Sequence, residues 1–337
     1  MTQSDAQIHT QLQAPVYVES EWAELKECVF GWTGQFIWPK FLQDAELRPS
    51  GDIRQVWFDH QEQNVEQACP EVYKAWKVQI EGAIDFLRNQ GISVHLPLAH
   101  TAANLKFPRG ENHGSMTGWM RDAFVTIGNN VIELAPRSLF HRRQRFPIRH
   151  ILASTMERGA RYFAQPDGGA DDSMEGPGWG YLEGGDIFVL GKTILVGHSG
   201  HCSNPEGARW LQHVLGDNYQ VEIVNLDSSC FQHLDCVLCT PREGVAIACS
   251  EAFVDGLPDV IHDWDIIEVS KELCNDHLGT NHLVLNDQTI IVPAEPAHDG
   301  VTVELQKRRF EVIRLPYEAV YRMGGSFRCA HQPLIRI

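Results

Sequence analysis

Four stretches of this chain share a pattern that few folds can accommodate. They are RDAFVTIGNNVIELAP from Arg121, GDIFVLGKTILVGHS from Gly185, LDCVLCTPREGVAIACS from Leu234 and NHLVLNDQTIIVPAE from Asn281. Each is a short β-rich run, a turn and a second β-rich run. Gly-Asn-Asn, Gly-Lys, Pro-Arg-Glu-Gly and Asn-Asp sit where the chain must reverse, so each stretch reads as a β-hairpin. Three begin with an acid: Asp122, Asp186 and Asp235. The stretches recur at roughly fifty residues, a weak internal repeat.

Helical patterns fill the intervals. One runs from Cys69 to a stop at Gly91, with the strand ISVHLPL after it. A second starts on a Ser203 cap, stops at Gly216 and leads into YQVEIVNL, and GVTVELQKRRF followed by EVIRLPY repeats that order. ESEWAELKECVFGW, near the front, reads as a first hairpin strand. The unit is therefore strand–strand–helix–strand, present about five times. Like units set round an axis give an α/β fold, a five-bladed propeller whose loops converge at one end. No linker divides the chain, so residues 1–337 are expected to form one domain. Residues 1–15 are expected to be a flexible tail and residues 168–180 a turn-rich loop.

Composition narrows the partners. With 44 acids against 28 Lys and Arg, the formal charge is −16, which disfavours nucleic acid or an anionic membrane surface. No apolar run is long enough to span a bilayer, and MTQSDAQIHTQLQAP lacks the apolar core of a signal peptide. Nine cysteines without a regular framework fit reduced thiols in the cytoplasm. The sequence leaves a homo-oligomer open.

The chemistry-bearing residues gather at the starts of the hairpins. In FQHLDCVLC, His233 and Asp235 are two apart and, on a strand, face one side. Cys236 and Cys239 look like half a zinc site, but on a strand they face opposite sides and no second CxxC exists. Glu183 and Asp186 flank two glycines in YLEGGDIFVLG, and Asp122 opens the first hairpin. Taken singly, each reads as a turn with solvated acids. Set round an axis, Asp122, Glu183, Asp186, His233 and Asp235 converge on one pocket. Carboxylates so gathered repel unless a cation joins them, and a planar guanidinium suits them. The closing GGSFRCAHQPLIRI can deliver Cys329 to that pocket, with Arg328 and His331 beside it to lower the thiol pKa. For Cys28, Cys69, Cys202, Cys249 and Cys274, buried filling is the default reading.

MRDAFVTIGNNVIELAPRS, EGGDIFVLG, HLDCVLC and GGSFRCAHQPL together resemble, in that order, the motifs of the guanidino-group-modifying (pentein) superfamily. It holds arginine and inosamine-phosphate amidinotransferases, arginine deiminases and dimethylarginine dimethylaminohydrolases. The resemblance runs from about Trp22 to the end, and the middle of the chain is most similar to the amidinotransferase branch. It implies a five-bladed α/β propeller, Cys329 as nucleophile, His233 as general acid and base, and Glu183 orienting His233. Asp122 and Asp235 would grip the guanidinium, with Asp186 and Arg328 in the binding set.

The implied reaction moves an amidino group from arginine or a related guanidine to an amine through an amidino-thioester, with no metal or organic cofactor. Two departures bear on it. Glu183-Gly-Gly-Asp186 is the form typical of the hydrolases. Residues 248–256 also lack the transferases' carboxylate-holding arginine, for which Arg328 or Arg322 are substitutes. A hydrolase of the same superfamily is the alternative, and a binder of a cationic ligand without catalysis a third.

Overall fold

The four hairpins are all present in the computed structural model, which describes residues 14–38, 55–56, 58–107, 114–167, 179–228 and 232–337. Each gains a third strand that runs parallel to its second. The first sheet joins Phe124–Ile127, Asn130–Glu133 and Arg161–Ala164, and the second joins Ile187–Leu190, Thr193–His198 and Gln220–Asn225. The third holds Leu238–Arg242, Val245–Ala248 and Asp265–Glu268; the fourth holds Leu283–Asn286, Thr289–Pro293 and Glu311–Leu315. In a fifth, His331–Arg336 lies antiparallel to Leu25–Phe30, which lies parallel to Ser93–His95. The front strand expected from the sequence thus finds its hairpin partner at the other end of the chain.

Burial explains why the hairpins read as continuous apolar runs. Their two antiparallel strands are buried on both faces, whereas the parallel third strand is half-exposed, as at Arg161–Ala164 and Asp265–Glu268. The apolar clusters pass from sheet to sheet. Val125, Ile132, Ile187 and Val196 link the first to the second; Phe188, Leu195, Ile247, Val284 and Ile290 link the second, third and fourth. Leu25 and Cys28 meet Leu283 and Ile291 from the fourth, and Val29 and Leu334 meet Phe124 and Val131 from the first.

The longest helix, Pro70–Asn89, buries Tyr73, Trp76, Ile80, Ala83, Ile84 and Leu87 at helical spacing. Pro70 supplies a preset first turn, and Gly91 leaves it at φ +79. The helix Pro205–Leu215 begins one residue later than the sequence reading placed it. Asn204 is the cap, its side chain accepting from Gly207 N–H, and Ser203 is released for another contact. The third sheet departs from the expected unit. Between Ala248 and Asp265 there are only the 3₁₀ turns Ser250–Ala252 and Asp259–Ile261, because Gly256 at φ +82 and Pro258 break any helix. Residues 1–13 of the expected tail and residues 168–178 of the expected loop lie outside the described residues.

Burial holds three histidines neutral: His282 and His331 fall well below the usual range and His298 falls to about 4. Above the unfolded value of about 6.5 they are neutral in both states, and their contribution to stability is complete. As pH falls, the unfolded chain takes protons that the folded one refuses, and stability is lost down through pH 4. Asp186, which burial raises to about 7, and Asp122, also raised, run the opposite way, whereas His100, lowered to about 4, and Glu183, lowered to about 2, run with the three histidines. Urea unfolding should show stability declining from pH 6.5 to 4, and His298→Asn should flatten that decline.

Candidate active site

A short turn precedes the leading hairpin strand of each of the five three-stranded sheets, and these turns carry the candidate residues. Met120–Ala123, Gly184–Asp186 and Leu234–Cys236 are 3₁₀ turns holding Asp122, Asp186 and Asp235. Glu183 and His233 are the residues that lead into the second and third. Asn281 lies just before the fourth sheet, and Phe327–Ala330 brings Cys329 before the fifth. His233 and Asp235 were expected on a strand; they sit on a turn instead, with Leu238 opening the strand.

Hydrogen bonds pass from each turn to the next. Asp122 Oδ1 accepts from Gly185 N–H at 2.9 Å, and Asp186 Oδ1 accepts from Leu234 N–H at 3.0 Å. The Asp235 carbonyl accepts from Thr280 Oγ1 and Asn281 Nδ2. Asn281 Oδ1 accepts from the N–H groups of Arg328 and Cys329 at 3.0 and 3.1 Å. Arg121 Nε donates to the Arg328 carbonyl at 3.2 Å, which returns to the first turn.

Within this frame the expected set splits in two. His233 Nε2 lies 2.8 Å from Glu183 Oε2 and 4.0 Å from Asp122 Oδ1. Glu183 is fixed in turn, since its Oε1 accepts from Arg137 N–H and its own N–H donates to Ser203 Oγ. Cys329 Sγ is 3.5 Å from Asp235 Oδ2 and receives Asn281 Nδ2 at 3.1 Å. Asp186 and Arg328 face elsewhere. The second Asp186 oxygen accepts from Ser203 N–H. The Arg328 guanidinium is taken up by Asp235, Glu21 and the Gly185 and Ile187 carbonyls, and it stacks 3.8 Å over Phe188. The residue expected to meet substrate is thus engaged here by groups of the protein itself.

The glycine pair has a steric cause. A Cβ on Gly184 would collide with the Arg121 carbonyl oxygen; one on Gly185 would lie 2.8 Å from the His233 ring and 3.1 Å from Asp122 Oδ1. Two turns approach so closely here that only glycine fits.

The electrostatics correct the expectation for the nucleophile. Burial, then Asp235, Cys236 and Asp122, push the Cys329 thiol well above its usual value. His331 is held neutral by burial and by Arg121, so it does not help to ionise the thiol. Burial alone would depress His233, but Cys202, Asp122 and Glu183 override it and hold the imidazole well above the usual histidine range. Burial raises Asp122, and the His233 hydrogen bond pulls Glu183 down against its own burial. The resting site is a protonated thiol, an imidazolium and acids short of positive charge.

Three neighbours escaped the sequence reading. His141 Nδ1 is 3.5 Å from Asp122 Oδ2, Cys202 lies against His233 and Glu183, and Asn281 holds the Cys329 main chain. Only Asn281 left a signal: in the repeat it stands where Asp122, Asp186 and Asp235 stand.

No protein-family model matches the chain. An L-arginine:L-lysine amidinotransferase of Pseudomonas savastanoi pv. phaseolicola is 23% identical over 347 residues, covering 94% of this chain and 93% of the relative. SxtG, an amidinotransferase from Microseira wollei in the saxitoxin biosynthetic pathway, superposes with a TM-score of 0.78 at 21% identity, over 96% of this chain and 98% of its own. DDAH from Pseudomonas aeruginosa, solved with citrulline, superposes with a TM-score of 0.62 at 18% identity, over 92% and 99%. Over nearly its full length the chain is thus similar in sequence to amidinotransferases, and it shares its fold with proteins of the guanidino-group-modifying superfamily.

Proposed function

We propose that the protein is a cysteine-dependent amidinotransferase and that its five like sheets are the blades of an α/β propeller with the site at one end. The observation that carries the reading is that Cys329 lies against Asp235 and within electrostatic reach of Asp122 and His233, the latter held by Glu183, all buried.

A guanidinium between Asp122 and Asp235 supplies the positive charge the site lacks. It also lowers the Cys329 pKa, which burial and the carboxylates hold up, so the thiol releases its proton to solvent as the guanidinium binds. The thiolate adds to the guanidinium carbon, and the carboxylates keep the charge in place. His233, already an imidazolium, gives its proton to the departing nitrogen as the carbon–nitrogen bond breaks. The amidino group stays on sulfur. His233, now neutral, takes a proton from the incoming amine as that amine bonds to carbon and sulfur leaves. Glu183 orients the imidazole throughout. In this reading Asp186 and Arg328 position the turns and do not touch substrate.

Arginine or a related guanidine as donor and an amine as acceptor follow from the names of the relatives. Hydrolysis by the same thioester is the second reading, for which Glu183-Gly-Gly-Asp186 spoke. The glycine pair is required by the Arg121 carbonyl and the His233 ring whatever the acceptor is, so transfer is favoured. The described cysteines are all free thiols, which suits a cytoplasmic enzyme. Among the described residues no helix is long and apolar enough to cross a membrane.

Incubation with arginine, with and without a panel of amines, tests the reading by mass spectrometry. Ornithine and a new guanidine should form only when an acceptor is present; citrulline and ammonia without amine would establish hydrolysis instead. Cys329→Ala should lower turnover by roughly 10⁴-fold or more with the unfolding transition nearly unchanged. Near-full activity in that variant would overturn the mechanism. Gly185→Ala should fold yet displace His233, with an expected loss of about 10²-fold in kcat; unchanged kcat would show that the ring's position is not limiting.

A further inference from the structure

Among the described residues, Cys202 is the thiol that groups with both Glu183 and His233, and the proposed reaction gives it no part. It lies in the segment between Thr193–His198 and Pro205–Leu215, and that segment is pinned. Ser199 Oγ donates to the Gln232 carbonyl at 2.6 Å, Ser203 N–H donates to Asp186, and Ser203 Oγ accepts from Glu183 N–H. Cys202 is thereby held, 6% exposed, next to two other buried ligand-bearing side chains. The Cys202 thiol, a Glu183 carboxylate oxygen and a His233 ring nitrogen all lie within 4.8 Å of one another.

We propose that Glu183, Cys202 and His233 form a binding site for one thiophilic divalent cation, with zinc the natural fit. A thiolate, an imidazole and a carboxylate are its preferred donors, and three protein ligands leave a fourth position open. Metal ligands bind as thiolate, carboxylate and neutral imidazole, and one thiolate with one carboxylate matches the charge of a dication, so the occupied cluster buries no net charge. On the function proposed above, the bound cation removes the proton that His233 delivers and ties up the carboxylate that aims it, so zinc inhibits reversibly.

Cobalt(II), added alone as a spectroscopic stand-in, tests the site without reference to turnover. Wild type and Cys329→Ala should both give a near-ultraviolet thiolate-to-cobalt charge-transfer band that zinc abolishes. Cys202→Ala should lack the band. His233→Ala should weaken cobalt binding by at least ~100-fold. Cobalt binding without a thiolate band would put the ion on Asp122, His141 and Glu183 instead, the other cluster of this kind among the described residues. A band kept in Cys202→Ala but lost in Cys329→Ala would put it on the nucleophile. Either result, or no binding in a wild type whose fold is intact, overturns the proposal. If no guanidine is turned over in any assay, the cobalt result stands by itself, so the two readings fail separately.

Discussion

The circle of hydrogen bonds between the five turns is the constraint on which this site depends. Each turn offers a polar group to the main chain of the next: Asp122 to Gly185, Asp186 to Leu234, the Asp235 carbonyl to Asn281, and Asn281 to Cys329. Arg121 closes it on the Arg328 carbonyl. These groups are buried, where an unpaired donor or acceptor is costly. The same contacts that satisfy the backbone fix the distances among sulfur, imidazole and carboxylates. Stability and geometry here have one source.

Electrostatic strain is distributed across that circle in layers. On the candidate substrate side, Asp122 and the Cys329 thiol are pushed up because burial leaves them short of countercharge. Behind them Arg121, Arg328 and Arg336, with Glu21, line a small buried cavity. Arg328 reaches from there to Asp235 and keeps that carboxylate company. One face is thus settled internally, and on the proposed function the other is completed by a cation arriving from outside. Arg328 and the Cys329 sulfur share one oxygen of Asp235, yet burial and the neighbouring acids still keep the thiol raised.

The sheets were legible because fully buried hairpins leave two short apolar runs separated by turn residues, a pattern that burial on both faces enforces. The acids at Asp122, Asp186 and Asp235 were legible for a related reason, since they repeat at one position of the unit. Their separate fates were not. Asp122 faces the imidazole, Asp235 the thiol and Asp186 only main-chain N–H groups, and this follows from contacts between turns distant in sequence. His141 and Cys202 belong to no repeat, and only the folded segment after Thr193–His198 brings Cys202 to His233. The missing helix of the third sheet was foreshadowed by Gly256 and Pro258, whose local effect outweighed the regularity of the other units.

The pairing of Leu25–Phe30 with His331–Arg336 carries a consequence for how the molecule acquires its chemistry. The other hairpins close over a few residues, whereas this contact joins segments some three hundred residues apart. Contacts of that range form late on a folding route, because a large loop must be closed before anything is gained. The turn that bears Cys329 opens the strand that makes this contact. A partly folded intermediate can therefore hold the imidazole and the acids near one another while its sulfur still lacks Asp235 and Asn281. On the proposed function, competence for covalent chemistry then arrives with this last pairing, so a half-assembled molecule is inert rather than indiscriminate.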